Sequence, residues 1–109
     1  MDRDDAYLAQ MRDTVRKVKS YTDGITREEF LNDEKTQSAV TMQLILIGEL
    51  SKKLSIITKE RINLPWRKMA GLRDIAVHDY FSLDTEAIWD TITNHFALLE
   101  EKLGGEGSH

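Results

Sequence analysis

The fold is decided by the stretch VTMQLILIGELS, residues 40–51, in the middle of the chain. Apolar or small residues recur there at spacings of three and four, which place them on one face of an α-helix. That face is formed by Val40, Leu44, Ile47, Ser51 and Leu54. The pattern predicts a helix from about Asp33 to Ser55, and Met42, Ile45 and Leu46 lie off its apolar face. The middle of this helix is therefore apolar on more than one side.

The additional apolar surface of this helix has two explanations. A helix needs only one apolar face to join a bundle. The residues off that face therefore indicate packing against a second copy of the chain, as a homodimer, or coverage by other helices of the same monomer. The sequence leaves both explanations open.

The segment before the central helix is predicted to form one long helix and one short helical turn. Apolar residues at three- and four-residue spacings predict a helix from Asp4 to about Tyr21, which Asp23-Gly24 should end. Thr26, followed three residues later by Glu29, has the pattern of a capping box. It predicts a short helical turn through Leu31.

Two further long helices are predicted after the central one. Pro65 suits the first position of a helix, so a helix should run from about Pro65 to about His78, followed by a turn at Tyr80-Phe81-Ser82. Asp84 should cap a last helix. The core-facing residues of that helix are Ile88, Ile92, Phe96, Leu99 and Leu103. The expected fold is all-α, an up-and-down four-helix bundle with a short extra helical turn.

Length and composition predict one cytoplasmic domain. The 109 residues contain no cysteine, which excludes disulfides and thiolate metal sites. The three histidines form no expected metal cluster, and no cofactor is predicted. No stretch is apolar enough for a membrane span, and the charged amino end does not resemble a signal peptide. We expect the domain to cover residues 1–103, with residues 104–109 as a flexible tail or the remnant of an expression tag.

Charge is unevenly distributed along the chain. The formal net charge of −4 argues against a nonspecific polyanion binder. Residues 52–73, however, contain seven basic side chains and a single acidic one. This excess indicates either a basic surface that guides an anionic partner or ordinary solvated helix faces. The two explanations are equally compatible with charge alone.

The predicted helix that begins at Pro65 carries a group of residues suited to chemistry on a phosphate. Arg73 and His78 could act as a phosphate-stabilising cation and as a base that takes the proton of a ribose 2′-hydroxyl. Asp74 lies four residues before His78, where its carboxylate could accept a hydrogen bond from the imidazole. Arg-x4-His spacing also occurs often by chance. By spacing alone, a surface arginine and a helix-terminal histidine explain it better.

A longer motif surrounds these residues. The stretch LPWRKMAGLRDIAVHDYFSLD, residues 64–84, combines Pro-Trp, Gly-Leu-Arg followed by a polar residue, and His-x-Tyr-Phe, and Trp89 follows. This combination resembles the signature of HepT-like HEPN proteins, and the resemblance extends over the helix layout of residues 1–103. Trp66 and Trp89 are otherwise expected to be packing aromatics.

The resemblance implies an activity and a set of partners. It implies a homodimeric toxin that cleaves RNA without a metal, with two Arg-x4-His-x-Tyr motifs facing one another across a cleft. Arg73 and His78 would carry out cleavage, with Asp74 as the polar residue after the arginine. The partner would be a minimal nucleotidyltransferase antitoxin that adds AMP to Tyr80.

Some expectations attached to this resemblance have competing explanations. An RNA-guiding surface and ordinary solvated helix faces explain the basic residues Lys52, Lys53, Arg67 and Lys68 equally well. Asn is common in the family where this chain has Asp74, and the added negative charge should lower RNA affinity. The alternative function is a noncatalytic binding module or antitoxin partner of a nucleotidyltransferase. A dimeric helical protein without an active site is the third possibility.

Overall fold

The computed structural model describes residues 3–82 and 84–107, except the side chains of residues 79–82 and 104–107. Four long and two short helices form the described part of the chain. They are α1 (Arg3–Thr22), α2 (Arg27–Leu31), α3 (Glu34–Lys53), α4 (Ile56–Arg61), α5 (Trp66–Ser82) and α6 (Thr85–Gly107). No strand occurs within these ranges. The all-α helical fold predicted from the sequence is confirmed.

Helix α3 lies at the centre of the bundle, packed mainly against α1 and α5, while α6 packs against α1. All five residues of its predicted apolar face are buried, and the four apolar ones belong to the main core. Ser51 is compatible with this burial because its hydroxyl donates a hydrogen bond of 2.8 Å to the carbonyl oxygen of Ile47. Of the three residues off this face, Ile45 is partly buried against the core, whereas Met42 is 53% exposed and Leu46 40% exposed. Helices of the same monomer therefore leave a large part of the Met42 and Leu46 side chains exposed.

The amino-terminal elements follow their capping residues. Helix α1 ends before Gly24, which has a φ of 78°, a conformation that glycine adopts without strain. Thr26 and Glu29 form the predicted capping box, in which each side chain accepts a hydrogen bond from the backbone N–H of the other. Asp33 caps α3 by accepting a hydrogen bond from the backbone N–H of Thr36.

Helix α5 is longer than predicted. The expected turn at residues 80–82 is wrong, because the backbone stays helical to Ser82. Residues 79–82 contain neither glycine nor proline, so nothing in this segment forces the helix to end. The next cap is Asp84, whose carboxylate accepts a hydrogen bond of 3.1 Å from the backbone N–H of Ala87. All residues of the motif from Arg73 to Tyr80 thus belong to one continuous helix.

Helix α4 was not predicted at all. Its exposed isoleucines, Ile56 and Ile57, produce no apolar face at helical spacing. Tertiary contacts hold it instead: the hydroxyls of Ser55 and Thr58 donate hydrogen bonds to the Asp4 carboxylate at the start of α1. These bonds lower the pKa of Asp4 below its usual value, with the Ser55 hydroxyl as the largest cause.

Two tryptophans pack where the sequence predicted. The Trp66 indole N–H lies 2.9 Å from the carbonyl oxygens of both Lys59 and Ile62, which joins α4 to the start of α5. Trp89 lies against Phe30 with ring centroids 5.2 Å apart, which joins α6 to α2. Both indoles are partly buried against the main core.

Helix α6 buries its predicted apolar face and continues beyond it. The five residues of that face are all part of the main core. The backbone is helical to Gly107, so α6 includes four of the six residues assigned above to a tail. None of the helices in the described ranges is both long and apolar enough to cross a membrane.

Candidate active site on helix α5

The site begins with a close approach between α3 and α5. A Cβ atom placed on Gly48 would lie 2.6 Å from both the backbone nitrogen and the Cβ of Arg73. Those are fixed backbone and near-backbone atoms, which cannot swing aside as the end of a flexible side chain can. Only glycine at position 48 therefore lets the backbone of Arg73 lie directly on α3.

Two carboxylates contact the Arg73 guanidinium. Its Nε lies 3.1 Å from Oε1 of Glu49, the residue after Gly48, and its NH1 lies 3.1 Å from Oδ1 of Asp74. The side chains of Arg73 and Glu49 are 45% and 43% exposed, and that of Asp74 is 70% exposed. Ion pairs this accessible to water add little to stability. They nevertheless place two carboxylates directly against the guanidinium.

His78 is exposed on the same helix and is not linked to Asp74. The hydrogen bond expected between Asp74 and His78 is absent from the described side chains, because Asp74 is paired with Arg73 instead. His78 follows Arg73 by five positions, a step of roughly 140° around the helix axis and ~7.5 Å along it. Within one copy, the two side chains therefore start from different sides of α5.

Tyr80 follows Arg73 by seven residues along α5. Since the helix is continuous to Ser82, positions 73 and 80 lie about 20° apart around its axis, on one edge. The side chain of Tyr80 lies outside the described part of the structure. The longer helix thus brings these two positions into line, which the predicted turn would not have done.

The four predicted RNA-binding residues are all exposed and all lie on α3 or α5. Lys52 and Lys53 end α3, and the Lys53 ammonium lies 5.7 Å from the centroid of the Tyr7 ring. Arg67 and Lys68 are in the first turn of α5, and Arg67 precedes Arg73 by roughly 9 Å along the axis. The helix pair that carries the basic residues is therefore the pair that meets at Gly48 and Arg73.

Sequence reasoning missed Gly48 and Glu49 as parts of the site. A signal was present, since glycine in the middle of an apolar helix costs about 1 kcal/mol relative to alanine and so suggests a packing requirement. Glu49 is the charged residue directly after it in the most apolar stretch of the chain. Among the described residues, no group of three or more histidine, aspartate or glutamate side chains is placed to hold a metal ion.

Comparison with known proteins identifies the family of the chain. The model of the family described as "Ribonuclease HepT-like" matches residues 11–104 of the chain. The chain belongs to the HepT-like ribonuclease family. The "Probable ribonuclease HepT" of Thermococcus cleftensis is 36% identical to this HepT-like chain over 97 residues, which cover 88% of each protein.

Two other relatives of this HepT-like chain are named provisionally as RNases. A Methanocaldococcus jannaschii protein is 39% identical over 93 residues, covering 82% of this chain and 74% of the relative. A protein of Caldanaerobacter subterraneus subsp. tengcongensis is 35% identical over 90 residues, covering 82% of this chain and 77% of the relative. No solved structure gives a significant match.

Proposed function

We propose that the chain is the toxin of a HEPN/nucleotidyltransferase toxin–antitoxin pair and acts as a metal-independent endoribonuclease. One observation carries the proposal: a solvent-accessible Arg73, fixed on α3, shares a continuous helix with an exposed His78 in a chain of the HepT-like ribonuclease family. A cation and a titratable base on one rigid element are the two groups that cleavage beside a 2′-hydroxyl requires.

In the proposed reaction, neutral His78 takes the proton of a ribose 2′-hydroxyl. The 2′-oxygen then attacks the adjacent phosphorus, and the 5′-oxygen leaves and is protonated. Arg73 stabilises the charge that develops on the phosphate oxygens. The products are a 2′,3′-cyclic phosphate and a free 5′-hydroxyl, so the substrate is RNA and not DNA.

A homodimer is part of this proposal. Arg73 and His78 start from positions about 140° apart on α5, so a second copy offers a way to place an arginine and a histidine around one phosphate. Met42 and Leu46 support it, since both are exposed and lie on the same outward stripe of α3 as Glu49, at spacings of four and three residues. Exposed apolar residues beside a candidate site are typical of an interface. A sedimentation experiment that finds only the 12.6 kDa species at tens of micromolar would refute the dimer.

Control by a minimal nucleotidyltransferase is also proposed, through transfer of AMP to Tyr80. The supporting observation is that positions 73 and 80 share one edge of a continuous helix. AMP on Tyr80 would bring a phosphate and a bulky nucleoside to the edge that carries Arg73, in competition with the RNA phosphate. Tyr80→Phe should keep ribonuclease activity and escape this control. A Tyr80→Phe protein that the transferase still labels and silences would refute the assignment.

The cleavage proposal is tested by incubating RNA in EDTA with the purified chain and with three variants. His78→Ala and Arg73→Ala should abolish cleavage. His95→Ala is the matched control, because His95 is also an exposed helical histidine but lies on α6. Cleavage that persists in His78→Ala, or that disappears in EDTA alone, would refute the proposed mechanism.

Basic side chains on the same helix pair are proposed to guide RNA toward Arg73. They are Lys52, Lys53, Arg67 and Lys68. Neutralising Arg67 and Lys68 together should weaken RNA binding at low salt and reduce its salt dependence. An unchanged salt slope would show that these residues are ordinary solvated side chains.

One observation favours a second candidate function. Glu49 and Asp74 together place two negative charges on the Arg73 guanidinium, which opposes binding of a phosphate. A noncatalytic module or antitoxin that docks a nucleotidyltransferase would be compatible with such a neutralised arginine. That function predicts a stable complex with the transferase and no RNA cleavage by the chain, with or without His78.

A further inference from the structure

We infer that Glu49 is a positioning residue that holds the Arg73 guanidinium in the orientation needed at the phosphate. The inference rests on the proposed function and extends its site from α5 to α3. It assigns a role to a carboxylate that no motif of the chain includes. The two observations behind it are the ion pair between Glu49 Oε1 and Arg73 Nε and the close approach at Gly48.

Consecutive residues of α3 constrain the two ends of the arginine side chain. The backbone of Arg73 packs against Gly48, because only a residue without a Cβ leaves room for the nitrogen and Cβ of Arg73. Oε1 of Glu49 then forms an ion pair with Nε, at 3.1 Å. An arginine on a helix surface otherwise has several freely rotating bonds, and ordering them costs free energy that the substrate would have to supply. With α3 supplying the restraint, the guanidinium is ordered before RNA binds.

The pattern of donors leaves part of the guanidinium available. Arginine has five N–H donors, one on Nε and two on each terminal nitrogen. Glu49 engages Nε and Asp74 engages NH1, while NH2 has no partner among the side chains that the structure describes. Two donors on NH2 therefore remain for phosphate oxygens. The exposure of Arg73, at 45%, is compatible with such access.

The negative charge of Glu49 gives its removal opposite effects on RNA binding and on cleavage. A carboxylate beside a phosphate site repels RNA, so it cannot be there to strengthen binding. Its removal should leave RNA binding unchanged or about threefold tighter, by the Coulomb energy of two charges some 6 Å apart in water. Cleavage should nevertheless slow about 10- to 100-fold, because a misplaced catalytic group has effects of that size. A residue with only a structural role would not separate binding from cleavage in this direction.

The test compares single-turnover cleavage and RNA affinity, both in EDTA with one RNA oligonucleotide. Glu49→Ala should cleave about 10- to 100-fold more slowly than the wild type while binding RNA equally well or more tightly. Glu49→Gln should recover most of the cleavage rate, since its side chain has the same length and its amide oxygen can still contact Nε. Glu100→Gln is the matched control: Glu100 pairs with Lys19 of α1 at 3.1 Å and is 49% exposed, against 43% for Glu49. It should change neither quantity.

Two further measurements isolate the contact itself. In an Arg73→Lys background, which lacks the Nε–H donor, Glu49→Ala should have no additional effect on cleavage. In the otherwise unchanged protein, the Nε–H resonance of Arg73 should show an ordered side chain by ¹⁵N relaxation and lose that order in Glu49→Ala.

The outcomes separate the inference from the proposed function. A wild-type chain that does not cleave RNA refutes the proposed function and removes the catalytic role of Glu49 with it. A wild-type chain that cleaves, together with a Glu49→Ala chain that cleaves equally fast, overturns only the inference. Equal order of the Arg73 Nε–H in both proteins also overturns it. Parallel loss of binding and cleavage in Glu49→Ala would show a structural role instead.

Discussion

Replacing Gly48 by alanine should destabilise the protein, although alanine is the better helix former. The same change at Gly71 is the matched comparison. Both glycines lie within long helices, but a Cβ on Gly71 meets no atom within 4 Å. The two substitutions therefore share their effect on helix propensity and differ in the space around the new methyl group.

Two opposed contributions determine how much Gly48→Ala changes the free energy of unfolding. Glycine to alanine within a helix contributes about 1 kcal/mol of stabilisation at either position. At position 48 the new Cβ would lie 2.6 Å from two Arg73 atoms, about 0.8 Å short of the 3.4 Å at which ordinary contacts begin. Because those atoms belong to the backbone or adjoin it, α3 and α5 must move apart, at the upper end of the ~1–3 kcal/mol typical of overpacking. The net loss should be about 1–2 kcal/mol for Gly48→Ala, against a gain of about 0.5–1 kcal/mol for Gly71→Ala.

Urea denaturation of both variants and the wild type would measure this difference. Thermal unfolding should show Gly48→Ala melting about 5–10 °C below the wild type and Gly71→Ala a few degrees above it. If Gly48→Ala were as stable as Gly71→Ala, α3 and α5 would not approach each other at this point. The packing of the Arg73 backbone against α3 would then be wrong as well.

Three other changes test separate contacts. Asp74→Asn removes a charge 3.1 Å from the Arg73 guanidinium and should tighten RNA binding about threefold in a low-salt filter-binding assay; unchanged or weaker binding would contradict this. Because hydrogen bonds hold the pKa of Asp4 below its usual 3.8, its contribution to stability should be complete above that pH and lost as the pH falls through the lowered value. Asp4→Asn should therefore be less stable than the wild type near neutral pH, and this difference in stability should disappear in acid. Thermal unfolding of both proteins across pH measures it, and a difference that does not change with pH would contradict the prediction. Ile47→Ala, at a side chain that is 0% exposed, should cost about 2–5 kcal/mol in urea denaturation, whereas Ile57→Ala, at 77% exposure, should change stability by less than about 0.5 kcal/mol. Similar losses for both isoleucines would contradict the burial pattern.

Local signals in the sequence were sufficient to predict the four long helices, the buried face of α3 and several helix caps. The buried face of α3 was read from spacing, because a helix repeats every 3.6 residues whatever it packs against. The capping box at Thr26 and Glu29 and the cap at Asp84 were read from residue type, since these side chains bond to backbone groups within three residues. Spacing made Arg73 and His78 candidates, and the resemblance of residues 64–84 to the HepT-like signature selected them together with Tyr80; their catalytic and modified roles stay predictions.

Contacts between distant parts of the chain decided the rest. Helix α4 forms around hydrogen bonds from Ser55 and Thr58 to Asp4, a residue more than fifty positions away. Arg73 of α5 forms an ion pair with Glu49 of α3, which lies 24 positions earlier in the chain. Periodicity shows which face of a helix is apolar, but it contains no information about which helix lies against that face or in what register. The sequence by itself therefore determined the helices and the motif, whereas only the tertiary structure placed Arg73 on Gly48, because that contact depends on the register between α3 and α5.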